Sequence, residues 1–339
     1  MNHLLKNRRT WGTAIALSCL SPFQAAEATS VTLYGLVDVG MVYERKNGKG
    51  DLTQGSGNQS GSRLGFRGVE DLGNGYKAVF RLENGINVDD GTQAQGRLFG
   101  RWAYVGLSGG FGEVRLGRQW VYGFEWGGIG SPFGTGWSQG SIGSTLGYND
   151  GDFGSGGRID NAVLYTTPRI KGWQGGLGYS LQAVENPSST ATPNNDRVLT
   201  AGLRYNQGPL AMALTYERLQ PRNTPNTKKR AGNLQLAASY DLDWIELHGT
   251  YGDLRNPNVG PSAGRGHVRS WIGGVTLPVS KSSSVLASYQ RAARSDISGW
   301  ALGHQYSLSK RTNLYAFINR LDERKSHTLQ TSVGMRHMF

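Results

Sequence analysis

The chain has 339 residues, of which only 37% are hydrophobic while 51 are glycine, less apolar than an ordinary soluble domain. Its 15 Tyr, 10 Phe and 9 Trp are spread along the whole length, which argues against a disordered glycine-rich polymer, and no stretch after the N-terminal segment has the roughly 18 apolar residues that a membrane helix needs. The formal net charge is +12, yet no basic run is interleaved with stacking aromatics, so nucleic acid is not an expected partner.

Lys6, Arg8 and Arg9 precede an apolar stretch from Trp11 to Leu20, then Ser21-Pro22 and the small-residue triplet Ala26-Glu27-Ala28. That order predicts a secretory signal over residues 1–28 that is removed, leaving 29–339 as the mature domain. The apolar run is too short for a membrane anchor. Arg8-Arg9 raises twin-arginine export, but the residues after the pair do not fit that pattern. Cys19 is the only cysteine, and Ala16 stands where a lipoprotein signal usually has leucine, so the mature chain is expected to carry no thiol. Its stability must come from elsewhere, and a closed hydrogen-bonded barrel can supply it. Removing Lys6, Arg8, Arg9 and Glu27 leaves 33 basic and 23 acidic residues, a net charge of +10.

After the signal, short segments of alternating polarity are separated by alternately tight and longer polar connections. The period-2 pattern predicts strands over 31–44, 61–70, 76–88, 97–108, 112–122, 158–167, 173–184, 198–206, 210–219, 232–241, 244–253, 268–277, 283–291, 297–308, 312–321 and 327–339. Asp71-Leu-Gly-Asn-Gly75, Gly109-Gly110, Asn206-Gln-Gly-Pro209 and Ser309-Lys-Arg311 have turn chemistry. Short turns at one end and long loops at the other fit a transmembrane barrel of sixteen strands. In the last segment Leu329, Val333, Met335 and Phe339 share one parity, while Gln330, Ser332, Gly334 and Arg336 share the other. An alternating strand with an open edge is an aggregation hazard, and closing the sheet removes the edge.

Ser30-Val-Thr-Leu-Tyr-Gly-Leu-Val-Asp38, Ser62-Arg-Leu-Gly-Phe-Arg-Gly-Val-Glu-Asp-Leu-Gly73, Gly96-Arg-Leu-Phe-Gly-Arg-Trp-Ala-Tyr-Val-Gly-Leu107 and Leu116-Gly-Arg-Gln119 resemble the first strands of the general Gram-negative outer-membrane porins, the Neisseria and Burkholderia branch in particular. The resemblance extends over residues 29–339. It implies an all-β fold, a 16-stranded antiparallel transmembrane β-barrel with an inward-folded third loop, embedded in the cell outer membrane. It further implies a homotrimer that passes small hydrophilic solutes and inorganic anions by diffusion, with outer-membrane lipid, lipopolysaccharide and the barrel-assembly machinery as further partners. No cofactor or metal is expected, and Phe339 stands where the family carries its assembly signal.

The connection over 123–157 is too long to be an incidental loop in a compact domain, and it occupies the place of the family's constriction loop. Pro132-Phe133-Gly134 resembles the family's Pro-Glu-Phe-Gly turn without its glutamate. Glu125, Asp150 and Asp152 are the loop's own carboxylates and the candidates to replace it, or they are solvated loop charges. Trp120, Tyr122, Phe124, Trp126, Phe133, Trp137 and Tyr148 make the segment aromatic, as in a sugar-binding track or, more simply, as loop packing. A saturable channel for a sugar or small organic anion is therefore the alternative reading.

Taking Leu64, Phe66, Ala78, Phe80, Leu82, Trp102, Tyr104, Val114 and Leu116 as outward puts Arg63, Arg67, Lys77, Arg81, Arg97, Arg101 and Arg115 inside, with Glu83 and Glu113 the only acids in that set. Seven cations on one dry wall would unfold it, so the pattern argues for a hydrated lumen. By resemblance, Arg63, Arg101 and Arg158 form the family's arginine ladder, and loop carboxylates opposite them would set up a transverse field. Arg118 has the outward parity, where a bare arginine costs several kcal/mol near the bilayer midplane. Relatives pair it with a carboxylate of a neighbouring subunit's second loop, for which Asp89 and Asp90 are available. The outward residues of the first strand, Val31 to Met41, include no aromatic, which favours a protein partner for that face. Catalysis is not expected: His248, His267, His304, His327 and His337 show neither metal-ligand spacing nor a nucleophile beside a base.

Overall fold

The computed structural model describes residues 30–136, 140, 143–148, 151–154, 156–184, 196–222 and 228–339. The expected signal over 1–28, Trp137 and Asp150 lie outside the described residues. In chain order the strands are β1 (Ser30–Lys46), β2 (Lys49–Ser56), β3 (Arg63–Gly73), β4 (Tyr76–Gly85), β5 (Trp102–Gly109), β6 (Gly112–Trp120), β7 (Arg158–Thr166), β8 (Trp173–Ser180) and β9 (Arg197–Gln207). They continue with β10 (Leu210–Gln220), β11 (Gly232–Asp241), β12 (Glu246–Arg255), β13 (His267–Ser280), β14 (Ser283–Ala292), β15 (Ile297–Ser307), β16 (Thr312–Glu323) and β17 (Ser326–Met338). Between β6 and β7 run a short helix α1 (Tyr122–Gly127), a single 3-10 turn (Gly128–Gly130) and a one-turn helix α2 (Gly143–Leu146).

Every neighbouring pair is antiparallel, and β17 returns to pair with β1 from Leu36↔Met338 to Lys46↔Thr328, which closes the sheet. β2 pairs with the second half of β1 and β3 with the first half, so the two share one place in the wall and the barrel has sixteen strand positions. β2 falls within 45–60, between the first two strands expected from the sequence. Its Lys49-Gly-Asp-Leu-Thr-Gln-Gly-Ser56 has one large apolar residue and no alternation. It forms because β1 extends to Lys46 and the hairpin at Asn47 and Gly48, both at positive φ, folds the chain back. The strand expected from residue 97 begins instead at Trp102, with 97–101 irregular.

Alternation holds around the wall. Leu33, Met41, Phe66, Leu116, Leu214, Leu236, Leu302 and Val333 are exposed on the outside, where lipid or protein would cover them. Polar residues of the opposite parity, among them Asp38, Thr200, Glu217, Gln235, Ser270 and Gln290, are buried within. The described residues of the segment from α1 onward lie along this inner wall. His248 Nδ1 is 2.9 Å from the Ile129 carbonyl, Thr250 Oγ1 donates to the Gly130 carbonyl at 3.0 Å, and Ser270 Oγ donates to the Thr145 carbonyl at 2.7 Å. The apolar core is therefore the seam between loop and wall. Tyr122, Phe124, Trp126, Leu146, Tyr148 and Phe153 pack on Ile159, Leu164, Val198, Leu219, Leu254 and Ile272. Each such side chain contributes about 1.5–3 kcal/mol on burial.

Candidate functional site

Three devices fix the loop. Fully buried Glu217 of β10 accepts hydrogen bonds from Gly123 N at 2.8 Å, Tyr148 Oη at 2.8 Å and Thr200 Oγ1 at 3.1 Å. Buried carboxylates persist when their oxygens are occupied in this way. Farther along, Phe133 inserts between Leu286, Ala301, Tyr315 and Phe317, so the Ser131–Gly134 turn crosses to the far side of the barrel. Asp152 then ties the returning chain to the external loop over 256–266, accepting from Asn258 N at 2.8 Å and Asn258 Nδ2 at 3.0 Å. Burial pushes the Asp152 carboxyl above the usual carboxylate range, against the pull of those two donors.

Between the turn and the wall lies a cavity of about 620 Å³, lined by Arg63, Arg101, Arg158 and Arg336, by Trp120, Phe124, Pro132, Phe133 and Gly134, and by residues of the break between β2 and β3. Arg63, Arg101 and Arg158 thus line one cavity, and Arg336 of β17 joins them. The Arg158 guanidinium lies over the Trp120 ring at 5.0 Å. Arg336 is aimed by Asn313 Oδ1 and Ser60 Oγ, each at 3.0 Å. Asp38 orders the break itself: its carboxylate accepts from Gln59 N at 2.9 Å, Ser60 N at 2.5 Å and Tyr315 Oη at 2.6 Å.

The acid within this basic wall is Glu83 of β4, fully buried. Its carboxylate meets Arg101 Nε at 2.6 Å, Arg81 Nη2 at 2.5 Å, Tyr34 Oη at 2.7 Å and, more distantly, Arg63 Nη1 at 4.0 Å. It neutralises part of the ladder from behind.

Several expected placements are corrected. None of the expected loop acids forms an opposite pole among the described residues: Glu125 pairs with Arg115 Nη2 at 3.4 Å in a separate cavity of about 230 Å³ toward the tight turns, and Asp152 is spent on Asn258. Trp102 and Tyr104 face inward, since they pair in register with Glu83 and Arg81, and the Arg81 guanidinium lies 4.7 Å over Trp102. A count of the alternation from residue 97 gives the opposite face, because the strand starts at Trp102. Arg101 sits just before it and reaches the lumen because the chain turns there, its N donating to the Glu83 carbonyl at 3.1 Å. Arg97 leaves the inward set and shares Asp160 with Arg118, at 3.1 and 2.5 Å. Arg118, only 7% exposed, also donates to the Gly100 carbonyl at 2.8 Å, so its charge is met within the chain. Lys77 has the inward parity but lies near the tight turns, away from the cavity. Asp89 and Asp90 are exposed. Tyr43, 44% exposed, shares the face of Met41, so the first strand does carry one outward aromatic.

Among the described residues, Trp120, Tyr122, Phe124, Trp126 and Tyr148 pack on each other rather than forming a track: Tyr122–Trp126 ring centroids are 4.3 Å apart, Trp120–Phe124 5.3 Å and Phe124–Tyr148 5.9 Å. Sequence reasoning named Arg336 only as inward-facing and missed the anchoring roles of Tyr34, Asp38 and Glu217; each depends on partners far away in the chain.

A closed barrel of sixteen strand positions, apolar outside and arginine-lined within, defines a pore-forming protein of the outer membrane. The family model described as Gram-negative porin matches residues 12–326, and the chain belongs to that family. An outer membrane porin protein of Bordetella pertussis is 34% identical over 96% of this chain and 99% of its own length. Outer membrane porin protein 32 of Delftia acidovorans is 34% identical over 93% and 90%. Among solved structures, an anion-selective porin from Comamonas acidovorans superposes with a TM-score of 0.77 at 30% identity, covering 92% of this chain and all of that one.

Proposed function

We propose that this porin is a water-filled channel for passive diffusion of small hydrophilic solutes, with a preference for anions, and that it works as a homotrimer. The observation that carries the reading is the convergence of Arg63, Arg101, Arg158 and Arg336 on one cavity beside the Pro132–Gly134 turn. Among the described residues no loop carboxylate lines that cavity, and Glu83 compensates only part of the charge. Arginine keeps its charge at any working pH and pairs with phosphate or carboxylate. Low-dielectric walls focus its field across the lumen. The 30% identical structure described as anion-selective supports the same preference.

For the trimer, the support is the outward face of β1 with its mostly aliphatic residues. The packing of Tyr122, Phe124, Trp126 and Tyr148 against the wall gives no support to a saturable sugar channel. The test is the reversal potential of the purified protein in a planar bilayer under a potassium chloride gradient. A potential shifted toward chloride with triplet insertion steps is expected. A shift toward potassium would refute the selectivity, and single steps would refute the trimer.

A further inference from the structure

The lumen cavity of about 230 Å³ toward the tight turns is enclosed by β6 to β9 and by α1. β6 presents Glu113 and Arg115 to it on one face, because residues two apart on a strand share a side. Gln174 of β8 and Arg204 of β9 are partners in register, and α1 supplies Glu125 and Trp126. The lining therefore holds two arginines and two carboxylates, whereas the cavity beside the Pro132–Gly134 turn holds four arginines and no acid.

These charges are only loosely matched to one another. Arg115 Nη2 reaches Glu125 at 3.4 Å and Arg115 Nε stands 3.5 Å from Glu113, both longer than the roughly 2.7–2.9 Å of a charge-assisted hydrogen bond. Arg115 is 7% exposed, and its buried Nε has no hydrogen-bond partner among the described residues. Arg204 meets no carboxylate among the described residues. Its Nε and Nη2 both donate to the neutral Gln174 Oε1, at 2.9 and 2.5 Å, and its guanidinium lies 4.6 Å over the Trp126 ring. Gln174 is itself held, its Nε2 donating to the Thr167 carbonyl at 2.9 Å, so it aims Arg204 without neutralising it. Nη1 and the second hydrogen of Nη2 are left for a ligand. The other cavity that mixes signs, at the β1–β2 hairpin, has Lys46, Lys49 and Asp51 exposed to bulk water and offers no such fixed pair.

We propose that this cavity is a binding station for a small zwitterion of the α-amino-acid type, with the carboxylate of the solute on Arg204 and its ammonium on Glu125 and Glu113. A simple anion entering here would face two carboxylates, and a simple cation two guanidiniums. A solute that carries both signs satisfies both poles, and each contact becomes a charge-assisted hydrogen bond. Simple anions gain more in the four-arginine cavity, where no acid opposes them. The space is smaller than the roughly 300–1,000 Å³ of sites for drug-sized ligands, which restricts the occupant to a small solute. The proposal rests on the reading of the lumen as a water-filled path, since the solute must reach the cavity from solution.

The test is current noise in a planar bilayer holding the purified full chain, at constant potassium chloride and neutral pH, with L-alanine, L-lactate or ethylamine added to both sides. L-Lactate carries a hydroxyl where L-alanine carries its ammonium, and ethylamine lacks the carboxylate. L-Alanine is expected to give saturable excess noise, half-saturating at about a tenth of the concentration that either of the others needs, as one additional charge-assisted contact predicts. E125Q should raise the half-saturating concentration of L-alanine about tenfold while lactate binds at least as well as before, and R204Q should weaken both. E113Q removes the other carboxylate and keeps the test available if E125Q fails to fold. Equal affinity of the wild type for L-alanine and L-lactate would overturn the proposal in favour of an anion site. Wild-type binding of L-alanine in both E113Q and E125Q would overturn it too, leaving the four charges a structural cluster. Absence of conductance before any solute is added would instead overturn the channel reading beneath it.

Discussion

The Phe339 ring lies over Gly35. The two residues exchange both backbone hydrogen bonds at 3.1 Å, and a Cβ on Gly35 would stand 2.5 Å from Phe339 Cζ and 2.6 Å from the Arg63 carbonyl oxygen. Gly35 is thus the seat for the last side chain of the sequence, at the seam where the sheet closes. Gly35→Val should lower the heat resistance of the folded barrel, read as its migration in detergent gels after stepwise heating. Phe339→Ala in the same background should recover only part of the loss, because the clash with the Arg63 carbonyl remains.

Arg63 and Arg158 line the cavity without a close carboxylate, while Arg101 holds Glu83 at 2.6 Å. Arg63→Gln with Arg158→Gln should therefore reduce the chloride preference in reversal-potential measurements and enlarge the conductance while the barrel stays stable. Adding Arg101→Gln should reduce the preference further and cost stability as well. Unchanged selectivity in the triple variant would reject the ladder as its source.

Glu83→Gln makes the opposite change. With the one buried acid of the ladder neutralised, chloride preference should rise. Because Arg81 and Arg101 lose the charge that compensates them, stability should fall by about 3–5 kcal/mol, the usual cost of breaking a buried pair. Urea titration in detergent gives the second quantity and the bilayer recording the first.

Glu217→Leu leaves Gly123 N, Tyr148 Oη and Thr200 Oγ1 without their shared acceptor. Unsatisfied buried donors cost about 1–3 kcal/mol each. The start of the loop should lift from the wall, seen as larger and noisier single-channel currents. Quiet wild-type currents in this variant would mean that the Phe133 insertion alone holds the loop.

Burial holds the Asp152 carboxyl above its ordinary value of 3.8. The folded chain therefore keeps this proton more tightly than the unfolded chain, so the contribution of Asp152 to stability is greatest below the ordinary value and falls as pH rises through the raised one. Asp152→Asn should flatten this part of the profile, measured as the urea midpoint across the acidic range. An unchanged profile would mean that other groups carry the acid dependence.

The wall was legible in the sequence because each strand declares its inner and outer face by parity alone, as Leu64 and Phe66 do against Arg63 and Arg67. What parity does not supply is the starting point of a count: Trp102 and Tyr104 take the outward parity only when the irregular segment 97–101 is counted into the strand. β2 escaped because its stability comes from pairing with β1 and not from its own side chains. Arg63, Arg101 and Arg158 stand in local motifs and Glu83 has the inward parity, but the partner each acid takes does not follow from parity. Glu83, Asp152 and Glu125 each take partners from other elements, and only the closed sheet decides which carboxylate meets which cation.

Asp38 binds the 57–62 segment and Tyr315, which follows it by 277 residues. The segment that lines one side of the arginine cavity therefore cannot settle until the last two strands have arrived and the seam has joined. Assembly and pore formation are one event in this protein, so a half-inserted sheet in the membrane would lack the finished constriction as well as the closed wall.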